Sequence, residues 1–315
     1  VVTSKRGIIA EKAGSKGELR IDGNNYNTTK WKTTKLFEVG VSGDVIVSID
    51  RKAMLESSTT MNIGVSGNVR IIVDNEAQIY AGKEIEIGRF GTVEIEMNNT
   101  SLIKSKRIRS GIESGSEVVI TLNTGSKLWS ETEEFSIGEK GQARIEQEDG
   151  ILVGEKIRLG TEVGGTGVIN TKEGSVTLQS LIVGEKGEGS IVQSGGSYEI
   201  ISTIEIAKES GSTGKYTQSG GSLVTDEMIV GEGTGSYVWE EGSFTAGRIA
   251  GMNFVNNKEF SPKPYLEGLS SLLVTANLQI WYDAADESQI EKDGSGWVSK
   301  WKDKSGNNRH TSTRS

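Results

Sequence analysis

The chain has 315 residues, 42 of them glycine and 2 proline, no cysteine, and a net charge of −8. Without cysteine there are no disulfides, thiolate zinc sites or cysteine nucleophiles. The acidic balance, with no basic patch, argues against a nucleic-acid partner, and no apolar run is long enough to span a membrane. Large apolar side chains are scarce, and most are Val or Ile spaced evenly between glycines. That pattern predicts a thin, repetitive β core rather than a broad one.

In chain order, Val1-Val2-Thr3 is strand-like, and a chain that opens on Val1 is read as processed or trimmed. An aliphatic-then-small step then recurs at Ile9-Ala10, Val39-Gly40, Ile63-Gly64, Ile87-Gly88, Ile137-Gly138, Leu159-Gly160, Val183-Gly184, Ile206-Ala207 and Val230-Gly231, with Ser110-Gly111 filling the gap. From Gly40 to Gly231 the spacings are 24, 24, 23, 27, 22, 24, 23 and 24. A second glycine follows each step: Gly17, Gly43, Gly67, Gly91, Gly115, Gly141, Gly167, Gly189, Gly214 and Gly235. These are read as one structural turn column, with Glu117 and Val118 marking a one-residue bulge.

Period-2 alternation after each glycine gives a short strand, and Gly174, Gly195-Gly196, Gly220-Gly221 and Gly242 close later units. One unit cannot bury its own face, but stacked units can. The expected fold is all-β: a parallel β-solenoid (β-helix) of about ten coils of about 24 residues over 1–253. At ~4.8 Å per coil the rod is roughly 48 Å long. The crossover rule for parallel strands favours a right-handed coil.

Both prolines, Pro262 and Pro264, cannot donate to a ladder. Residues 254–270 are therefore read as a connector, and 271–315 as a segment with a different grammar.

The run from Val183 to Gly196, Val-Gly-Glu-Lys-Gly-Glu-Gly-Ser-Ile-Val-Gln-Ser-Gly-Gly, resembles glycine-rich repeats of large secreted bacterial proteins, such as autotransporter-type passengers. The stretches Trp281-Tyr282-Asp283-Ala284-Ala285-Asp286 and Trp301-Lys302-Asp303-Lys304-Ser305-Gly306-Asn307 resemble the opening of a laminin-G-like, concanavalin-type jelly roll. The first resemblance implies an exported, non-catalytic β-helix. The second implies the incomplete start of a β-sandwich.

Few residues suggest chemistry. His310 is the sole histidine and is read as a turn residue. Asp283, Asp286 and Asp303 are the residues that would bind calcium, but their spacing is not a calcium-loop motif, so no cofactor is expected. Glycosidase or lyase chemistry needs clustered carboxylates, alone or with Arg or Lys. The glutamates alternate with lysines, as in Lys83-Glu84-Ile85-Glu86, and read as a solvated mixed-charge face. Tyr216, Tyr237 and Trp239 form an aromatic cluster that either fills the core or stacks on a glycan. Gln193 and Gln218 share a column that forms a hydrogen-bonded ladder if it faces inward.

The leading expectation is a non-enzymatic extracellular or cell-surface structural protein: the rod of a surface layer, filament or adhesin stalk, self-associating through its solenoid ends. A carbohydrate-binding adhesin is the alternative, and a polysaccharide-degrading enzyme ranks third.

Overall fold

The computed structural model describes residues 1–23, 29–251, 253–256, 290–292, 298–302 and 311–312. Among these the chain is all-β, and its strands stack in parallel as a β-solenoid of about ten turns.

Each coil has three limbs. In one coil these are Asp44–Asp50, Met54–Ser57 and Thr60–Ile63. In most later coils the second and third limbs fuse into one strand, as in Gln78–Ile87. A register shift still marks the corner between them in several coils.

The aliphatic-small steps are all in register: Ile9 lies beside Val39, Val39 beside Ile63, and so on to Val230. Most of the small residues that follow them are left-handed, including Gly40 at φ +65° and Gly138 at φ +71°. Only a residue with little or no Cβ penalty turns the chain there without strain.

The ten second glycines do not form one column. Gly43, Gly67, Gly91 and Gly141 do occupy the turn, and Ser15, Ser116, Gly165, Gly187, Ser212 and Gly233 complete that column. A Cβ on Gly67 would overlap the Gly43 carbonyl one coil below. Gly17, Gly167, Gly189, Gly214 and Gly235 instead lie two residues further on, inside the first-limb strand, where Val45, Val69, Val93, Val118 and Ala143 stand in other coils. Gly115 belongs to neither set. The strand Glu117–Leu122 pairs with both neighbours without a bulge, because Gly115 is displaced and Ser116 takes the turn.

The core is a narrow tube of inward columns. One runs Val47, Ile71, Ile95, Ile120, Ile145, Ile169, Ile191, Tyr216, Tyr237, and each of these side chains is at most 1% exposed. At the corner after the second limb sit small residues, Thr33, Ser57, Ala81, Ser105, Ser130 and Gly154. In the next two coils the same column holds the buried Leu178 and Ile200. Ser130 Oγ donates into the bend, 3.1 Å from the carbonyls of Lys106 and Glu133.

Parallel pairing continues through Asn253–Asn256, three residues past the expected end of the solenoid. Ile290–Lys292, Val298–Trp301 and Thr311–Ser312 pair antiparallel, a different grammar from the coils. Pro262, Pro264, Asp283, Asp286, Asp303 and His310 lie outside the described residues.

Candidate functional site

Three clusters of polar side chains are candidate sites. The first lies inside the core of the later coils. The innermost position at the end of the first limb is aliphatic in Ile49, Val73, Met97 and Leu122. It then becomes Gln147, Thr171, Gln193 and Gln218. All four polar residues are buried, so each needs partners. Gln193 Nε2 donates to the Gly196 carbonyl at 3.4 Å and to the Ser222 carbonyl one coil on at 3.0 Å. Gln147 and Gln218 make the equivalent pair of bonds.

The amide oxygens are used as well. Tyr216 donates its hydroxyl to Gln193 Oε1 at 2.8 Å, and Tyr237 donates to Gln218 Oε1. Tyr198 bonds Thr171 at 2.7 Å. The glutamines thus form a ladder through tyrosines and turn carbonyls, not through each other.

The rings of Tyr198, Tyr216 and Tyr237 contact edge to face at 5.9 and 5.5 Å, a favourable aromatic geometry. Burial pushes all three phenols well above their ordinary range. This overturns the sugar-stacking reading of Tyr216 and Tyr237, whose rings are wholly enclosed. Trp239 is half-buried and packs against the same core. The inner-column glycines make room for backbone and not for these rings. At Gly189 the backbone of Val183 and Gly184 presses inward, where a Cβ would overlap it.

The second cluster is a ridge of stacked turns. Asp22, Asp50, Asp74, Asn98 and Asn123 follow the last inward residue of successive first limbs. Asn75 Nδ2 donates to Asp50 at 2.8 Å, Asn99 to Asp74 at 2.7 Å, and Asn123 to Asn98 at 2.6 Å. The Arg51 hydrogen bond holds the Asp22 carboxyl below its ordinary value. The central residues Arg51, Lys52, Asn75, Glu76, Asn99 and Thr100 are all left-handed, from φ +45° to +62°. The sequence reading missed this column because it counted from the glycine, whereas the register counts from the aliphatic residue before the acid.

The third cluster is the outer face of the third limb, where carboxylates and arginines share one surface. Arg109 Nη1 reaches Glu86 at 3.0 Å, and its Nε donates to Glu139 at 2.9 Å. Arg89 also pairs with Glu86. Further along, Arg158 bridges Glu134 at 2.6 Å and Glu185 at 2.7 Å, and Lys208 meets Glu185 at 3.1 Å. Burial, then the neighbouring Glu86, raises the Glu84 carboxyl above its ordinary value. The hydrogen bond to Glu139 raises Arg109.

The expected solvated mixed-charge face is therefore a half-buried ladder of pairs between coils. Its signal in the sequence is Glu84-Ile85-Glu86 set one coil before Arg107-Ile108-Arg109. The arrangement fixes charge in place, and its guanidinium and ammonium groups lie against the carboxylates they neutralise.

Among the described residues, no group of three or more His, Asp or Glu is placed to hold a metal ion. Comparison with protein-family models, with curated proteins and with solved structures returns no match.

Proposed function

We propose that the chain is a non-enzymatic structural rod of an extracellular surface layer, filament or adhesin stalk. One observation carries the reading: the polar groups of the solenoid bind to the next coil. The inner glutamines hold turn carbonyls, the Asp/Asn ridge bonds along the stack, and the outer arginines bridge carboxylates across coils. Such chemistry stiffens a one-dimensional array in which each repeat contacts only its neighbours. The glycine-rich wording of residues 183–196 supports an exported setting. Any free end of a parallel stack presents unpaired N–H and C=O groups, and copies joined there form an open filament when the contact does not close a ring.

Light scattering and electron microscopy of the full chain across a concentration series test this. Rod-shaped particles that lengthen with concentration are expected. A strictly monomeric particle at high concentration would remove the assembly part of the reading. Release of reducing ends from acidic or neutral polysaccharides would overturn the non-enzymatic part.

A further inference from the structure

The outer face of the second limb carries a strip that the stack does not consume. Two outward columns run along it. One holds Lys32, Glu56, Tyr80, Lys104, Trp129 and Val153, and the other holds Lys30, Met54, Gln78, Leu102, Lys127 and Ile151. Tyr80 lies between buried Ile79 and Ala81, and Trp129 between buried Leu128 and Ser130, so both rings point outward. Both side chains are half-buried.

The two rings are two coils apart with Lys104 between them, a separation of about 10 Å at the strand spacing. Lys104 and Lys127 place their ammonium groups 4.1 and 4.3 Å from the centre of the Trp129 ring. Lys104 also meets Glu131 at 2.7 Å. Lys127 has no carboxylate partner among the described residues. In a chain of net charge −8, these twelve positions hold four lysines and one glutamate.

We propose that this strip binds an extended acidic polysaccharide, whose acid group draws the Lys127 ammonium off the Trp129 ring so that sugar faces lie against Trp129 and Tyr80. A linear glycan presents flat apolar faces at regular intervals and carries its charge at the ring edge, which suits rings flanked by ammonium groups. An extended peptide would need a sheet edge for its backbone hydrogen bonds, and this is a sheet face. A single-stranded nucleic acid would need a run of free cations along its phosphates, and here Lys30 and Lys32 are held by Glu56. The inference stands apart from the rod reading: binding without assembly, or assembly without binding, tells the two apart.

The test is affinity electrophoresis of the full chain through gels containing polygalacturonate, neutral dextran or poly(dT), with melting curves as the check on folding. Retardation by polygalacturonate, weakened by salt, is expected. It should fall at least about fivefold in Trp129→Ala and about twofold or more in Lys127→Gln, as expected for a lost stacking or ionic contact. Arg144→Gln, on the outer face of the first limb, should change nothing. Should Trp129→Ala fail to fold, Lys127→Gln and Tyr80→Ala carry the same test. The proposal is overturned by absence of retardation in polygalacturonate, by unchanged retardation in the Trp129 and Lys127 variants, by equal retardation in dextran, or by stronger retardation in poly(dT).

Discussion

The coils from Asp44 to Leu122 and those from Thr166 to Ala250 share one architecture but hold their turns by opposite means. In the earlier coils the turn is braced from outside. Asp50, Asp74 and Asn98 accept bonds from the asparagine of the next coil, while Ile49, Val73 and Met97 keep the inside apolar. In the later coils the turn is braced from within. Gln193 and Gln218 donate to turn carbonyls, and Tyr216 and Tyr237 satisfy the amide oxygens.

The backbone differs in step. The earlier turns place Asn75, Glu76, Asn99 and Thr100 in the left-handed region, and the later ones place Gly174, Gly196, Gly221 and Gly242 there. A polar group can therefore move from the outside to the inside of a stacked turn, provided every partner moves with it. A half-transferred network would leave buried groups unpaired, which is worse than either arrangement.

Breaking the apolar interior of the earlier coils has the largest expected effect. Ile95→Asp, at a position 1% exposed, should cost about 3–5 kcal/mol in denaturant unfolding, as expected for an unpaired buried charge. An unchanged midpoint would mean the inward and outward faces are exchanged. Next comes Gln193→Leu, which turns a later coil into an imitation of an earlier one. It strands the Tyr216 hydroxyl, at about 1–3 kcal/mol for a buried group left unsatisfied, and takes one bond from the Gly196 carbonyl, which keeps the Ser222 N–H. Adding Tyr216→Phe should recover part of that loss, and a strictly additive double variant would show that the two side chains are not coupled.

Alkaline pH sharpens the contrast. The phenols of Tyr198, Tyr216 and Tyr237 are raised above the ordinary value of 10.0. Their contribution to stability is fully present below that value and falls as pH rises through the folded-state values. Near-ultraviolet circular dichroism, followed with tyrosinate absorbance, should show these residues ionising only as the later coils open. A smooth titration at the ordinary value with the fold intact would contradict their burial. The smallest effect is Glu76→Gly, which relieves one left-handed side chain at φ +62° and should gain about 1 kcal/mol. A loss of stability there would assign Glu76 a supporting contact worth more than the strain.

The repeat was legible from the aliphatic-small step because that step turns the chain in every coil, and its register runs unbroken from Ile9 to Val230. The glycine column was misaligned for a physical reason. Turn glycines such as Gly67 and inner-strand glycines such as Gly189 lie two residues apart in register, and a slip of two preserves which side chains face inward. The polar ladder was half legible. Gln193 shares the face of Ile191, but whether a glutamine at that parity is tolerated depends on Tyr216, a residue of the next coil. The charge ladder of the third limb was readable but missed: Glu86 and Arg109 each lie two residues before the steps at Gly88 and Gly111, and the charges were read along one strand instead of across coils. The strip around Trp129 was overlooked because one outward tryptophan carries no periodic signal.

The corner between the second and third limbs has a consequence of its own. Opposite the two-residue advance from Gly154 to Lys156, the neighbouring coil takes four, from Ser130 to Glu134, and both coils then resume pairing in step. Similar slippage at this corner recurs in other coils. This corner acts as an expansion joint. Chain length can drift here during duplication of the repeats, or a foreign segment can be spliced in here, while the sheets on either side keep their alignment.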